Sequence, residues 1–194
     1  MEPYAVVVFA HVLAASVLLG TSLVFPLTRR AIRGARTVEE LRGWLAFARG
    51  SSAANPACAL VLLGTGLHLG SHGWWSAAWL QVGGVLFVVS SFLAARTLGG
   101  ATAALGAAAG AAEPGPVPAH LEPLRWSPRL DVAADVVLAN DVAAFWIMIV
   151  KPGLAGCVAS VAVANAILFA VRRRRRARRP PVAAAIADAP PAAA

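Results

Sequence analysis

Four side chains able to hold a proton, a metal or an anion fall inside or at the rim of long apolar runs: His11, His68, Asp141 and Lys151. An imidazole can ligate haem iron or a metal ion through either ring nitrogen, or carry a proton near neutral pH. A carboxylate in the middle of an apolar run is costly unless it is paired or used, so Asp141 is a functional candidate by default. Lys151, the single lysine of the chain, could bind an anionic headgroup or snorkel as an interfacial anchor.

Each residue also has a plainer reading. His11 could be a hydrogen bond between packed helices, since polar contacts commonly join helices in a bilayer. His68 and His72 could be wetted loop residues. Asp131 and Asp135 lie one turn apart at the start of an apolar run, where a carboxylate complements the positive end of a helix. At 1.5 Å per residue, His11 lies ~10 Å into its run and Asp141 ~14 Å from Lys151. The two lie near the same level, which is compatible with a contact between them if their helices touch. The functional reading is an outer-leaflet site built from His11, His68, Asp141 and Lys151. No cofactor is firmly implied, and haem b or a metal ion is what the histidines would accept. No nucleophile elbow, phosphate loop, HExxH or paired-carboxylate motif is present, which argues against a hydrolase or an NTP-driven pump. The leading reading is a non-enzymatic integral membrane protein of undefined role. The alternatives are a haem- or metal-binding membrane redox protein using His11 and a small transporter subunit with Asp141 as a proton or cation relay. Whether the chain is an enzyme stays open.

The elements that must position these groups are apolar helices. The chain has 194 residues, of which 59% are hydrophobic and 13% charged, against about 45–50% and about 25% in soluble domains. Runs at residues 4–27, 53–69, 79–95, 130–150 and 154–171 are each close to the ~20 residues needed to cross a bilayer. The expected fold is an all-α polytopic transmembrane bundle of about five spans, a four-span core plus an extra C-terminal span. Residues 99–123 read as a flexible Ala/Gly/Pro loop, although the Ala/Gly part could extend the third helix. Residues 173–194 read as a basic and then Pro/Ala-rich disordered tail. Glu39, Glu40, Leu41, Trp44, Leu45 and Phe47 suit a short amphipathic helix at the interface. Pro152 and Gly153 beside Lys151 suit a sharp turn between the last two spans. Cys58 and Cys157 have no metal-ligand spacing and read as small buried apolar residues on opposite sides of the membrane.

Charge sets the threading. With five spans, the six arginines at 29–49, the three at 96–129 and the seven at 172–179 share one face, leaving only Lys151 opposite. The positive-inside rule then puts the amino terminus outside and the carboxyl terminus in the cytoplasm of a bacterial inner membrane. The net charge of +8 comes from arginines beside apolar runs without interleaved aromatics. The expected partner is accordingly a bilayer with anionic headgroups and not nucleic acid. A homo-oligomer is compatible with this reading. The small-residue stripe Ala10, His11, Ala14, Ala15, Leu18, Thr21 and Ser22 reads as the face of the first span turned into the bundle, and Gly64, Gly66, Gly70, Gly83 and Gly84 allow close backbone approach between helices. These are packing signals for a tight bundle.

Several pieces together resemble a bacterial family of predicted integral membrane proteins, a domain of unknown function. They are Ala10-His11-Val12-Leu13 and Leu19-Gly20-Thr21, then Asn55-Pro56, Leu63-Gly64-Thr65-Gly66 and Trp79-Leu80. The most specific is the closing Phe145-Trp146-Ile147-Met148-Ile149-Val150-Lys151-Pro152. The likeness covers roughly residues 4 to 153. The family usually ends soon after Lys-Pro, whereas this chain adds an apolar segment and an arginine run. More distantly, the pattern is similar to copper-resistance membrane domains and to a haem-binding membrane protein of porphyrin synthesis. The resemblance implies a bacterial inner-membrane protein and no established activity.

Overall fold

The computed structural model describes residues 3–177, and they form an all-α bundle. In chain order the helices are α1 (Pro3–Gly34), α2 (Val38–Ser52), α3 (Asn55–Gly70), α4 (Ala78–Leu93), α5 (Gly100–Ala111), α6 (Glu122–Arg125), α7 (Pro128–Val150) and α8 (Leu154–Ala177). A π-helical stretch, Ala94–Gly99, joins α4 to α5 without a break, and a 3-10 turn, Ala119–Leu121, leads into α6. Five helical segments are long and apolar enough to cross a membrane, which makes the chain a multi-pass membrane protein. Their outward faces carry Phe9, Leu27, Leu60, Val85, Phe92, Ile149, Leu154 and Phe169, all exposed. Such a surface suits lipid contact and would aggregate in water.

The hub is α7. It packs against α1, α4 and α8, while α3 packs against α1. The apolar stretch of the segment containing α7 is 33% buried, against at most 17% in the other four, so α7 is the helix that the bundle surrounds. Local chemistry sets its ends. Ser127 accepts the Leu130 N–H at the amino end, with Pro128 in the first turn, where a missing N–H costs nothing. At the carboxyl end Lys151 adopts a left-handed conformation (φ 52°) and donates its N–H to the Ile147 carbonyl at 2.8 Å. Pro152 then prevents the helix from continuing, so the reversal into α8 falls at the expected place.

Two apolar clusters divide the bundle. One joins Leu86, Ala143, Ile147 and Cys157 where α4, α7 and α8 meet. The other joins Ile32, Ala35, Leu41, Leu45, Leu105, Ala109 and Leu121 at the opposite end of the molecule. The continuous helix from residue 78 to 111 is ~51 Å long at 1.5 Å per residue, well beyond a ~30 Å hydrocarbon core. Its surplus supplies Leu105 and Ala109 to the second cluster.

The loop reading of residues 99–123 is corrected here. Residues 100–111 are helical, as the strong helix preference of alanine dictates once α4 has been nucleated. Only about residues 112–118 are irregular, and they are tied down. Val38 N–H bonds Gly115 O at 2.8 Å, Val117 N–H bonds Arg36 O at 3.2 Å, and Gly115 N–H bonds the Glu39 carboxylate at 3.1 Å. The tail boundary moves as well, because α8 runs through Ala177. The reading of the remaining tail as disordered lies outside the described residues. The interfacial segment is helix α2, N-capped by Thr37, with Val38, Leu41, Leu45 and Ala48 inward and Trp44 and Phe47 outward. Cys157 is fully buried, whereas Cys58 is only partly so, and both are free thiols.

Candidate functional site

Helix register decides which polar groups meet. Helices α1 and α3 run antiparallel, with Thr21 bonded to Asn55 Oδ1 at 3.1 Å and His11 bonded to Thr65 Oγ1 at 2.9 Å. Helices α1 and α7 are also antiparallel. Arg33 holds both oxygens of Asp131 through Nη2 (2.5 and 2.6 Å), Arg29 reaches Oδ1 at 3.3 Å, and Ser22 donates to Asp141 Oδ2 at 2.5 Å. The contact that a shared level would allow between Asp141 and His11 is therefore not made, although α1 and α7 do touch. Ser22 lies eleven residues beyond His11, ~16 Å along the helix axis. The depth comparison assumed that α1 and α7 share an outer end, whereas the arginine–Asp131 pairs fix a register in which α1 projects past α7.

The four candidates thus occupy separate settings, and among the described residues no hydrogen bond, ion pair or ring contact joins any two of them. His68 and His72 stack edge-on at 4.9 Å, with Tyr4 against His72 at 5.7 Å. Lys151 Nζ lies 5.4 Å from the Trp74 ring and 5.1 Å from that of Trp79. That arrangement is a cation–π clamp at the end of α7 opposite the arginines.

Asp141 is the most unusual of the four. It sits ten residues before Lys151 on the hub helix, where α1 and α4 converge. Ser90 of α4 approaches the same carboxylate. Its Oγ is buried and makes no hydrogen bond of good geometry. Among the described residues no ion pair involves Asp141. The other carboxylates of α7 are paired, Asp131 with Arg29 and Arg33, and Asp135 with Arg172 at 3.4 Å.

His11 carries a second piece of information. The Thr65 hydroxyl lies 2.6 Å from the Val61 carbonyl and 2.9 Å from His11 Nδ1. When its one proton goes to the carbonyl, Nδ1 of His11 is the donor of the pair and Nε2 of the neutral ring keeps its lone pair. Among the described residues no group of three or more His, Cys, Asp or Glu side chains could hold a metal ion.

Two residues escaped the sequence reading. Arg125 is buried and donates to the carbonyls of Ile32, Arg33 and Ala35 at the end of α1, while pairing with Glu122 at 2.6 Å. Arg42 does the same at the end of α5, bonding the carbonyls of Ala109, Gly110 and Ala112. Helix carboxyl ends expose unpaired carbonyls that a guanidinium can satisfy. No sequence signal distinguishes these arginines from those that only mark threading. Comparison with known proteins finds no matching family model, curated protein or solved structure.

Proposed function

We propose that this chain is a non-enzymatic bacterial inner-membrane protein in which Asp141 relays a proton or a cation across the bundle. One observation supports this above all: a mid-span carboxylate between α1 and α4 has hydroxyl neighbours and, among the described residues, no cationic partner. In a low-dielectric interior an unpaired carboxylate is stable only when it takes up a proton or a counter-cation. Reversible uptake of that kind is what a relay needs. The groups facing Asp141 from the packed helices are the Ser22 and Ser90 hydroxyls. The nearest charged residues on its own helix are already committed to arginines. The test is proton flux in proteoliposomes loaded with a pH-sensitive dye. Wild-type vesicles should respond to an external acid step, and Asp141→Asn should reduce that flux to the level of empty vesicles. Unchanged flux in the variant ends the proposal.

A second reading has its own support. His11 Nδ1 is hydrogen-bonded to Thr65 Oγ1 at 2.9 Å, and in the tautomer with the proton on Nδ1 that contact orients the ring as outer hydrogen-bond partners orient a ligating imidazole. Haem b bound through Nε2 would supply one-electron redox chemistry. His11 would anchor it, and Thr65 would hold the ring. Protein purified from haem-replete cells should then show a Soret band that is lost in His11→Ala. A colourless wild type leaves His11 as a packing contact between α1 and α3.

We further place the amino terminus outside and the arginine-rich end in the cytoplasm, against anionic headgroups. The supporting fact is that Arg29, Arg33, Arg125 and Arg172 gather around the amino end of α7, with Lys151 at its other end.

A further inference from the structure

Helix α1 contains a proline in its interior, Pro26. Proline has no backbone N–H, so the carbonyl four residues earlier loses its helical donor. That carbonyl belongs to Ser22, the residue whose hydroxyl binds Asp141. Deprived carbonyls inside a membrane are tolerated where a neighbouring helix, a side chain or an ion satisfies them. Two departures from complete hydrogen bonding therefore fall on residues beside one carboxylate: the carbonyl of Ser22 on α1, whose hydroxyl binds Asp141, and the buried Ser90 Oγ on α4, which approaches that carboxylate without a hydrogen bond of good geometry.

We propose that Asp141, the Ser22 carbonyl and hydroxyl, and the Ser90 hydroxyl form a binding site for a small alkali cation, of which sodium is the natural probe. The proposal rests on the relay reading of Asp141 and names the ion it carries. Three physical arguments select this ligand class. All the donors are oxygens, which suit hard cations and not soft metals. There is one carboxylate, so a monovalent ion leaves the site neutral, whereas a divalent ion would bury an uncompensated positive charge. A main-chain carbonyl released by a helix irregularity, together with side-chain oxygens near mid-bilayer, is the way membrane transporters generally coordinate coupling ions.

The experiment is equilibrium binding of radioactive sodium to the full chain in nanodiscs at alkaline pH, with choline chloride holding ionic strength constant. Wild type should bind saturably, one ion per chain, and Asp141→Asn should bind none. Ser90→Ala removes one donor and should weaken binding about tenfold. Pro26→Ala is the most telling variant, because it returns an N–H to the Ser22 carbonyl. It should raise the thermal unfolding midpoint while weakening sodium binding, and a purely structural role for Pro26 would not move the two in opposite directions. Absence of saturable binding in the wild type, or wild-type affinity in Pro26→Ala, overturns the site. Proton flux that depends on Asp141 in a protein that binds no sodium would leave the relay standing and remove only the cation. Absence of both would remove both.

Discussion

At the scale of single residues, the bundle is held by close approaches that a methyl group would disturb. Gly156 lies in the first turn of α8, and a Cβ built on it would lie 2.7 Å from Pro152 Cβ. The proline ring closes the α7–α8 turn and cannot swing away. Gly156→Ala should therefore destabilise the protein by about 1–3 kcal/mol, the usual cost of overpacking, read as a lower unfolding midpoint in detergent. Gly83 faces the opposite situation, because its Cβ would meet the tip of Met148 at 2.2 Å. A methionine end can shift between rotamers, so Gly83→Ala should lower the midpoint by less than Gly156→Ala. Equal effects at the two positions would show that rigidity of the neighbour does not set the cost. Residue chemistry of this kind is only half legible in sequence. Glycines beside apolar runs signal close packing, but which neighbour each one meets depends on register.

At the scale of elements, arginine side chains join helices that the bilayer would not hold together by apolar contact alone. Arg125 donates to three carbonyls at the end of α1 from the segment leading into α7. Arg125→Met keeps the aliphatic stem and removes those donors, leaving buried carbonyls unpaired. The expected loss is on the order of 3 kcal/mol, since each unsatisfied buried group costs about 1–3 kcal/mol and the effects do not add fully. Arg30→Met is the control. Arg30 is exposed on the same helix, and surface substitutions fall within about 0.5 kcal/mol. A similar midpoint shift in both variants would mean that lost charge, and not lost capping, explains the effect. The helices themselves were largely legible, because five apolar runs of bilayer length leave few alternatives. Two features were not. The Ala/Gly stretch at residues 100–111 carries helix propensity without an amphipathic pattern, so only its continuity with α4 declares it a helix. The partner of Asp141 depends on how far α1 slides along α7, and that is set where Arg29 and Arg33 pair with Asp131, ~15 Å along α7 from Asp141, a long-range pairing that spacing within one helix does not encode.

At the scale of the whole molecule, charge and geometry point the same way. The helix contacts bring the ends of α1 and α8 to the amino end of α7, so the arginines of the first connection and of the last helix share one end of the bundle. Lys151, Trp74, Trp79 and His72 share the other. Positive side chains resist translocation, and on the proposed threading the end that holds them faces the cytoplasm. Single cysteines on a background lacking Cys58 and Cys157 test this directly. A cysteine at His72 should react in intact spheroplasts with a membrane-impermeant maleimide, and one at Arg30 only after the membrane is opened. The reverse pattern would invert the threading and place the relay's outer mouth at the arginine end. Labelling of both sites from outside would mean a mixed population, which an asymmetry of sixteen basic residues against one should not permit. Orientation would also determine the direction of the proposed relay. On the proposed threading, an ion would enter toward Asp141 at the end where Lys151 meets Trp74 and Trp79 and would leave at the end where Asp131 meets Arg29 and Arg33. Neutralising Arg29 and Arg33 should thus alter the release side of the flux before it alters uptake, and the two can be separated by imposing the gradient from either face of sealed, oriented vesicles.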